Sequence, residues 1–354
     1  MMATTNHTLQ RDHRPPSSTE ERLVSDLIAL MEQGGSPWRR PWRQEGGRHV
    51  NLCSGRAYRG ANPVLLTLGM ELRGSALPFW CGWGEARRLG VAPRRGSRGV
   101  TILRPLPLGG SQERGDGAAG GAQTAADPPP GALDAQERDG EGSPGDTSWA
   151  AAGRGAGVRW RPLVVFNAAD LVGEAEASRA LGERIQRCLA AARSSMPPSG
   201  ERLARAEKTL GAWPVAVLEG GNRACYVPAS DRIHLPDAPA FSSSAARLAT
   251  WAHEAIHSTG HPSRLGRDLL APFGSDAYAR EELVAELGAV LVGERLAIGS
   301  DTANHAAYLE HWCALLRESP RLLLRLLAEA RRAADLIAPE AAPAKEASAN
   351  DEAP

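Results

Sequence analysis

Disulfide-spaced cysteines and a net charge are absent from this chain of 354 residues, and lysine nearly so. Its five cysteines (Cys53, Cys81, Cys188, Cys225, Cys313) are odd in number and scattered, and they form no C-x-x-C pair. That excludes a disulfide framework and a zinc finger and fits a reducing compartment. Lysine occurs only at Lys208 and Lys345, so arginine carries nearly all the positive charge. Genomic base composition explains that bias, and no function follows from it. Basic and acidic residues balance at 41 each, so only the distribution of charge along the chain can say anything about partners. Long apolar runs are also missing: the leucine-rich stretch at 322–327 is broken by Arg325, well short of the roughly 18 apolar residues of a membrane span. Met1 to Glu21 is polar and lacks the apolar core of a signal peptide. These absences predict a soluble, cytoplasmic protein with no membrane segment.

What is present divides the chain. Residues 1–18, rich in Ser, Thr and Pro, read as a disordered leader. From Thr19 to Met31 the spacing of Leu23, Leu27, Ile28, Leu30 and Met31 predicts a helix stopped by Gly34-Gly35. Residues 36–104 form a Trp- and Arg-rich unit with turn signals at Gly46-Gly47, Ser54-Gly55 and Arg95-Gly96, ending in a strand over 99–103. Residues 105–157 are Gly, Ala, Pro, Asp and Ser with hardly a large apolar side chain, which predicts a disordered insertion. It is an insertion rather than a linker because Arg159 to Asn167 reads as the partner strand of 99–103. An Ala/Arg-rich helix over 174–200 ends at Pro197-Pro198, where the domain boundary is expected. Strands at 213–218, 224–227 and 231–235 follow, the first two joined by Gly220-Gly221-Asn222. Helices are expected at 243–260, 276–297, 301–318 and 320–337. The predicted organisation is α+β with two domains: 19–173 and 205–338, joined by a helical linker over 174–204, with a disordered tail over 339–354.

The densest chemical signal is His253-Glu254-Ala255-Ile256-His257. Histidines four apart lie about 40° from each other around a helix, so both imidazoles reach one metal ion. Glu254, next to the first of them, is placed to take a proton from water. A third histidine six residues past His257 would make the longer metzincin motif, but that position is Ser263. His261 is off-register in a turn between Gly260 and Pro262. The third ligand is expected from Tyr278-Ala-Arg-Glu-Glu-Leu-Val-Ala-Glu-Leu287, where Leu283, Leu287, Val290 and Leu291 mark the buried side of a helix and Glu282 and Glu286 border it. A carboxylate there is costly unless paired or on a metal. Glu282 is the expected ligand, with Glu286 as the alternative or as partner to a ligand histidine. The bland alternative is that both are solvated or paired with Arg280. Two imidazoles and a carboxylate suit zinc first and manganese also.

The N-terminal unit carries a second signal. Residues 36–104 hold thirteen arginines against Glu45, Glu71 and Glu85, an excess of ten, whereas the insertion holds three arginines against eight acids. Aromatics interleave with the charge in Trp38-Arg39-Arg40-Pro41-Trp42, Arg56-Ala57-Tyr58-Arg59 and Phe79-Trp80-Cys81-Gly82-Trp83. Arginines that track phosphates beside rings that stack bases are what single-stranded nucleic acid binding needs. No helix-turn-helix, zinc finger or RNP-like run is present, so sequence-specific duplex reading is not indicated. Trp80, in its Pro-Phe-Trp run, reads as core.

The run Trp251 to His261, followed by Arg264-Leu265 and the 278–287 segment, resembles the ArdC-type antirestriction proteins, whose C-terminal half is a zincin-like metallopeptidase domain. The resemblance extends through Ala224-Cys225-Tyr226, Asp231 to Pro236 and Tyr308…Trp312. In the N-terminal half it is carried by Pro37-Trp38…Pro41-Trp42, Asn51 to Asn62, Trp80…Trp83 and Val165-Phe166-Asn167, similar to a single-stranded-DNA-binding domain also found in plasmid-borne primases. Two departures are the long 105–157 insertion and Ala168-Ala169-Asp170, where a Gln commonly follows Phe-Asn. The resemblance implies a protein of conjugative plasmids or other mobile elements that shields incoming DNA from host restriction. Trp38, Arg39, Arg40, Trp42, Arg56, Tyr58 and Arg59 would contact single-stranded DNA. His253, His257 and Glu282 would hold the metal beside the catalytic Glu254. The alternative it leaves is a metallopeptidase that cleaves a host restriction or defence protein and uses DNA binding for targeting.

Overall fold

The computed structural model describes residues 19–32, 47–106, 159–299, 309–319 and 321–340. The expected leader and most of the expected insertion and tail lie outside them, while Pro339 and Glu340 of the tail are described. Helix α1 (Thr19–Glu32) buries Val24, Leu27, Ile28 and Met31, the stripe that a 3.6-residue period requires. It lies on α8 (Leu309–Glu318). Strand β1 (Val50–Asn51) runs parallel to β2 (Phe79–Gly82), which pairs antiparallel with β5 (Arg159–Asn167), itself antiparallel to β4 (Val100–Leu106). The expected hairpin across the insertion is therefore formed, in the register Val100↔Val165, and β4 runs to Leu106, two residues into the stretch whose composition predicts the insertion. A short ribbon of β3 (Val91–Pro93) and β6 (Leu171–Gly173) flanks α3 (Trp83–Arg88).

Trp80 is fully buried, as its sequence context predicts. Its indole N–H donates to His49 Nδ1 at 3.1 Å, and His49 Nε2 meets Thr67 Oγ1 at 2.9 Å. Because Nδ1 accepts, the ring proton of a neutral His49 sits on Nε2 and donates to Thr67. Helix α2 (Asn62–Glu71) is buried from Pro63 to Met70 because it lies between β4 and the C-terminal helices.

Pro197-Pro198 ends α4 (Ala175–Ser194) and begins α5 (Ser199–Gly211), so the expected single helix is two. The break also separates two cores. Leu181 of α4 packs with Leu52, Phe79, Cys81 and Val91, while Ala206 and Leu210 of α5 belong to the larger core. That larger core crosses the expected domain boundary: Val24, Leu65, Leu66 and Ile102 join Ile256, Leu287 and Trp312 in one apolar cluster.

In the C-terminal half, β7 (Ala216–Glu219) and β8 (Cys225–Val227) both pair with β9 (Arg232–Leu235), β7 parallel and β8 antiparallel. Gly220-Gly221-Asn222 therefore joins two strands that are not neighbours, and the hairpin turn is the one after Val227, where Asp231 takes a left-handed conformation. Helix α6 (Ser244–Ser258), capped by Ser243 Oγ on Ala246 N, packs on this sheet and on α7 (Asp276–Leu296), capped by Ser275 Oγ on Tyr278 N. Helix α9 (Leu322–Ile337) closes the other side of α7. Among the described residues no helix is long and apolar enough to cross a membrane.

Candidate metal centre and basic loop

Helices α6 and α7 cross where Gly288 meets Ile256. A Cβ at Gly288 would come within 2.8 Å of Ile256 Cδ1, so the close approach of the two helices depends on that glycine. The approach brings three glutamates of α7 onto two histidines of α6. His253 Nε2 and His257 Nε2 face each other at 3.1 Å, and Glu282 spans them, its Oε2 3.7 Å from His253 Nε2 and its Oε1 3.6 Å from His257 Nε2. Four ligands at about 2.0–2.1 Å from a tetrahedral dication lie about 3.3 Å apart, so these three donors have the spacing that such an ion requires. They are the one His/Cys/Asp/Glu cluster of this kind among the described residues.

Each histidine turns its other nitrogen to a buried carboxylate. Glu281 Oε1 lies 3.0 Å from His257 Nδ1, and Glu286 Oε2 lies 3.7 Å from His253 Nδ1. Burial would lower the pKa of His253, but Glu282, Glu286 and the charge of Glu254 hold it well above the usual imidazole range. Burial would raise that of Glu282, but both histidines and a hydrogen bond from Tyr278 pull it down to about 2. Glu281 is likewise pulled below the ordinary carboxylate range against its burial, by Arg267 first and His257 next. Four carboxylates gathered at one buried place demand positive charge, which a dication at the three donors would supply.

Glu254 is buried next to His253 on α6. The edge strand β8 runs close to it: burial, and then the charge of Glu254, push the Cys225 thiol up. His261 turns away, its Nδ1 on Ser263 Oγ at 2.7 Å. The chain between α6 and α7 exposes Leu270 (83%) and Phe273 (78%), and the Phe273 ring lies 5.2 Å from that of Tyr278. Sequence reasoning missed Glu281 and Arg267. The adjacent Glu281-Glu282 pair was a signal, since a helix carrying both on its border turns one toward each side of the site.

The N-terminal candidates fall into three groups. Trp38, Arg39, Arg40 and Trp42 lie outside the described residues. Arg56 and Arg59 are exposed on the β1–α2 connection. Asn51 organises that connection: its Oδ1 accepts from the backbone N–H groups of Cys53 (2.9 Å) and Ser54 (2.8 Å), and its amide donates to the Glu85 carboxylate. Tyr58 is half-buried against the larger core with its hydroxyl inside, and burial pushes its phenol pKa up. Of the ten described arginines in 47–104, nine are exposed. The tenth, Arg73, pairs with Asp170 at 2.8 Å. Arg104 and Arg161, both exposed, sit directly opposite each other in the β4–β5 hairpin. The connection is fixed to the C-terminal half, where Gly60 N donates to Glu340 Oε1 at 2.8 Å.

A small sheet packed on a His-Glu-x-x-His helix, with the Glu282 carboxylate brought to it by the next helix, defines a zincin-like half. Residues 204–329 match the zincin-like metallopeptidase family, and residues 17–127 match the N-terminal domain of anti-restriction factor ArdC. The two matches together make the chain ArdC-like. It is similar to the Mn(II)-bound antirestriction ArdC protein from plasmid R388, with a TM-score of 0.58 and 25% identity, covering 90% of this chain and 97% of that one. It is 32% identical to the DNA primase TraC of Escherichia coli over 327 residues, 90% of this chain and 27% of TraC. It is also 28% identical to the uncharacterized protein y4eC of Sinorhizobium fredii, covering 93% and 94% of the two chains. The chain thus spans about a quarter of the length of the TraC primase.

Proposed function

We propose that this protein binds single-stranded DNA through its arginine-rich N-terminal half and protects incoming DNA of a mobile element from host restriction. The observation that carries this reading is the exposure of nine of the ten described arginines in 47–104 on an ArdC-like framework. Arg56 and Arg59 bind phosphates, with Arg104 and Arg161 as a further opposed pair on the hairpin. Trp38, Arg39, Arg40 and Trp42 are assigned the same role on sequence grounds, and Tyr58 contributes the exposed part of its ring. Its test is a protection assay: unmodified DNA is introduced into restricting cells that express the wild type, Arg56→Ala/Arg59→Ala or Glu254→Gln. The reading expects the arginine variant to lose protection and Glu254→Gln to keep it. Full protection by the arginine variant would contradict it.

A second reading concerns the C-terminal half, where His253, His257 and Glu282 would hold a divalent ion, zinc or manganese. When bound, such an ion polarises a carbonyl and makes water more acidic. Glu254, buried beside His253, would be placed to accept a proton from water at that ion and to pass it to the leaving amine. Exposed Leu270, and Phe273 beside Tyr278, offer apolar surface to a polypeptide, for which a host restriction or defence protein is the proposed substrate. This reading predicts that Glu254→Gln abolishes cleavage of that protein in cells while the variant still folds and binds metal.

A further inference from the structure

One interaction at the metal centre involves no ligand. Arg267, in the connection from α6 to α7, grips the Glu281 carboxylate with both edges of its fork, Nε to Oε2 at 2.8 Å and Nη2 to Oε1 at 2.9 Å. The same guanidinium donates to Thr259 Oγ1 and to Ile256 O, each at 2.8 Å, at the C-terminal end of α6. Arg267 and Glu281 side chains are each only 9% exposed. Glu281 Oε1 in turn reaches His257 Nδ1 at 3.0 Å. Gly260 makes room for this: a Cβ there would lie 3.1 Å from Arg267 Nη2, 3.1 Å from His257 O and 2.8 Å from Leu269 Cδ2.

The arrangement has a physical purpose. A buried carboxylate needs a hydrogen-bonded cation beside it, and for Glu281 that cation is Arg267. A bidentate guanidinium keeps Glu281 an acceptor and fixes its plane, which a lysine ammonium does not do. An accepting Glu281 places the ring proton of His257 on Nδ1, leaving the Nε2 lone pair directed at His253 Nε2 and Glu282.

We propose that Arg267 and Glu281, seated by Gly260, are positioning residues that set the tautomer and orientation of His257 and thereby the dication affinity of the centre. The inference rests on the reading of His253, His257 and Glu282 as metal ligands. The test measures Zn(II) and Mn(II) dissociation constants by competition with a chromophoric chelator for the wild type, Glu281→Gln, Arg267→Lys and Gly260→Ala. Imidazole 15N shifts of His257 are recorded in the metal-free proteins, and circular dichroism in EDTA checks folding. Glu281→Gln should weaken both metals by about 10–100-fold, the range that partners of ligand histidines show, and should alter the His257 ring shifts. Arg267→Lys should fall in the same direction, and Gly260→Ala should move affinity less. A merely structural role would change the melting temperature but leave both affinity and ring shifts as they are. The proposal is overturned if folded Glu281→Gln and Gly260→Ala bind both metals within twofold of the wild type with unchanged His257 shifts. If Arg267→Lys fails to fold, those two variants decide alone. Absence of metal binding by the wild type is a different outcome: it removes the metal reading, and the positioning role with it.

Discussion

The metal centre and the basic loop are built on opposite principles. At the centre the histidines and α7 glutamates are held by burial and by one another: Glu282 lies against two histidines, each histidine against a second carboxylate, and Glu281 against Arg267. On the loop the backbone is fixed, by Asn51 and by the Gly60–Glu340 hydrogen bond, and Arg56 and Arg59 are exposed. A small, hard ion needs donors already within about 0.2 Å of place, and only a packed interior provides that. A flexible polyanion needs charge at roughly the right spacing and gains little from rigid side chains. Loss at the centre should therefore be steep and cooperative, and loss on the loop graded and salt-dependent.

The largest effect should come from removing a ligand. His257→Ala is expected to cost more in dication affinity than the roughly 10–100-fold typical of outer partners, with DNA affinity unchanged, as read by metal titration and oligonucleotide binding on the same preparation. Next, Arg56→Ala/Arg59→Ala should weaken single-stranded DNA binding and reduce the slope of log affinity against log salt by about 1.4, since each phosphate contact contributes about 0.7. An unchanged slope would mean that these two side chains do not meet phosphates. Gly288→Ala sharpens the comparison from the packing side. Pushing Ile256 off α7 should cost about 1–3 kcal/mol in thermal unfolding and weaken metal, but not DNA, binding. The smallest effect concerns pH. Hydrogen bonds from Arg264 hold Asp231 down to about 2, from an ordinary 3.8. A lowered folded-state pKa gives stability that is full above the unfolded value and lost as pH falls through the folded one. The Asp231 contribution should thus fade between about pH 4 and pH 2, and Asp231→Asn should flatten the acid limb of stability measured by circular dichroism.

Much of the centre was legible because helix periodicity alone brings His253 and His257 together and sets Glu282 on the border of the next helix. Glu281 as partner of His257 was not: its orientation depends on Arg267, fourteen positions earlier in an irregular connection, and no periodicity reports an ion pair across a loop. The 99–103 and 159–167 strands were readable across the insertion because each is a short run rich in β-branched and large apolar residues beside a stretch that has hardly any. The parallel pairing of β7 with β9 was not, since two short runs and a Gly-Gly-Asn turn suggest neighbours equally well. The core shared by α1, α2 and α7 was hidden for a related reason, because an apolar stripe says that a helix is covered but not by what. Tyr58 shows the limit of reading aromatics among arginines: its neighbours are exposed, yet its own hydroxyl is inside.

The central claim is that this chain carries two separable sites, a prebuilt dication centre and an exposed surface for single-stranded DNA. The most direct test is fluorescence anisotropy of a labelled single-stranded oligonucleotide titrated with the wild type and His257→Ala across a salt series. The account predicts equal affinities that fall steeply and in parallel with salt. No binding at low salt, or binding lost together with the metal ligand, would contradict it.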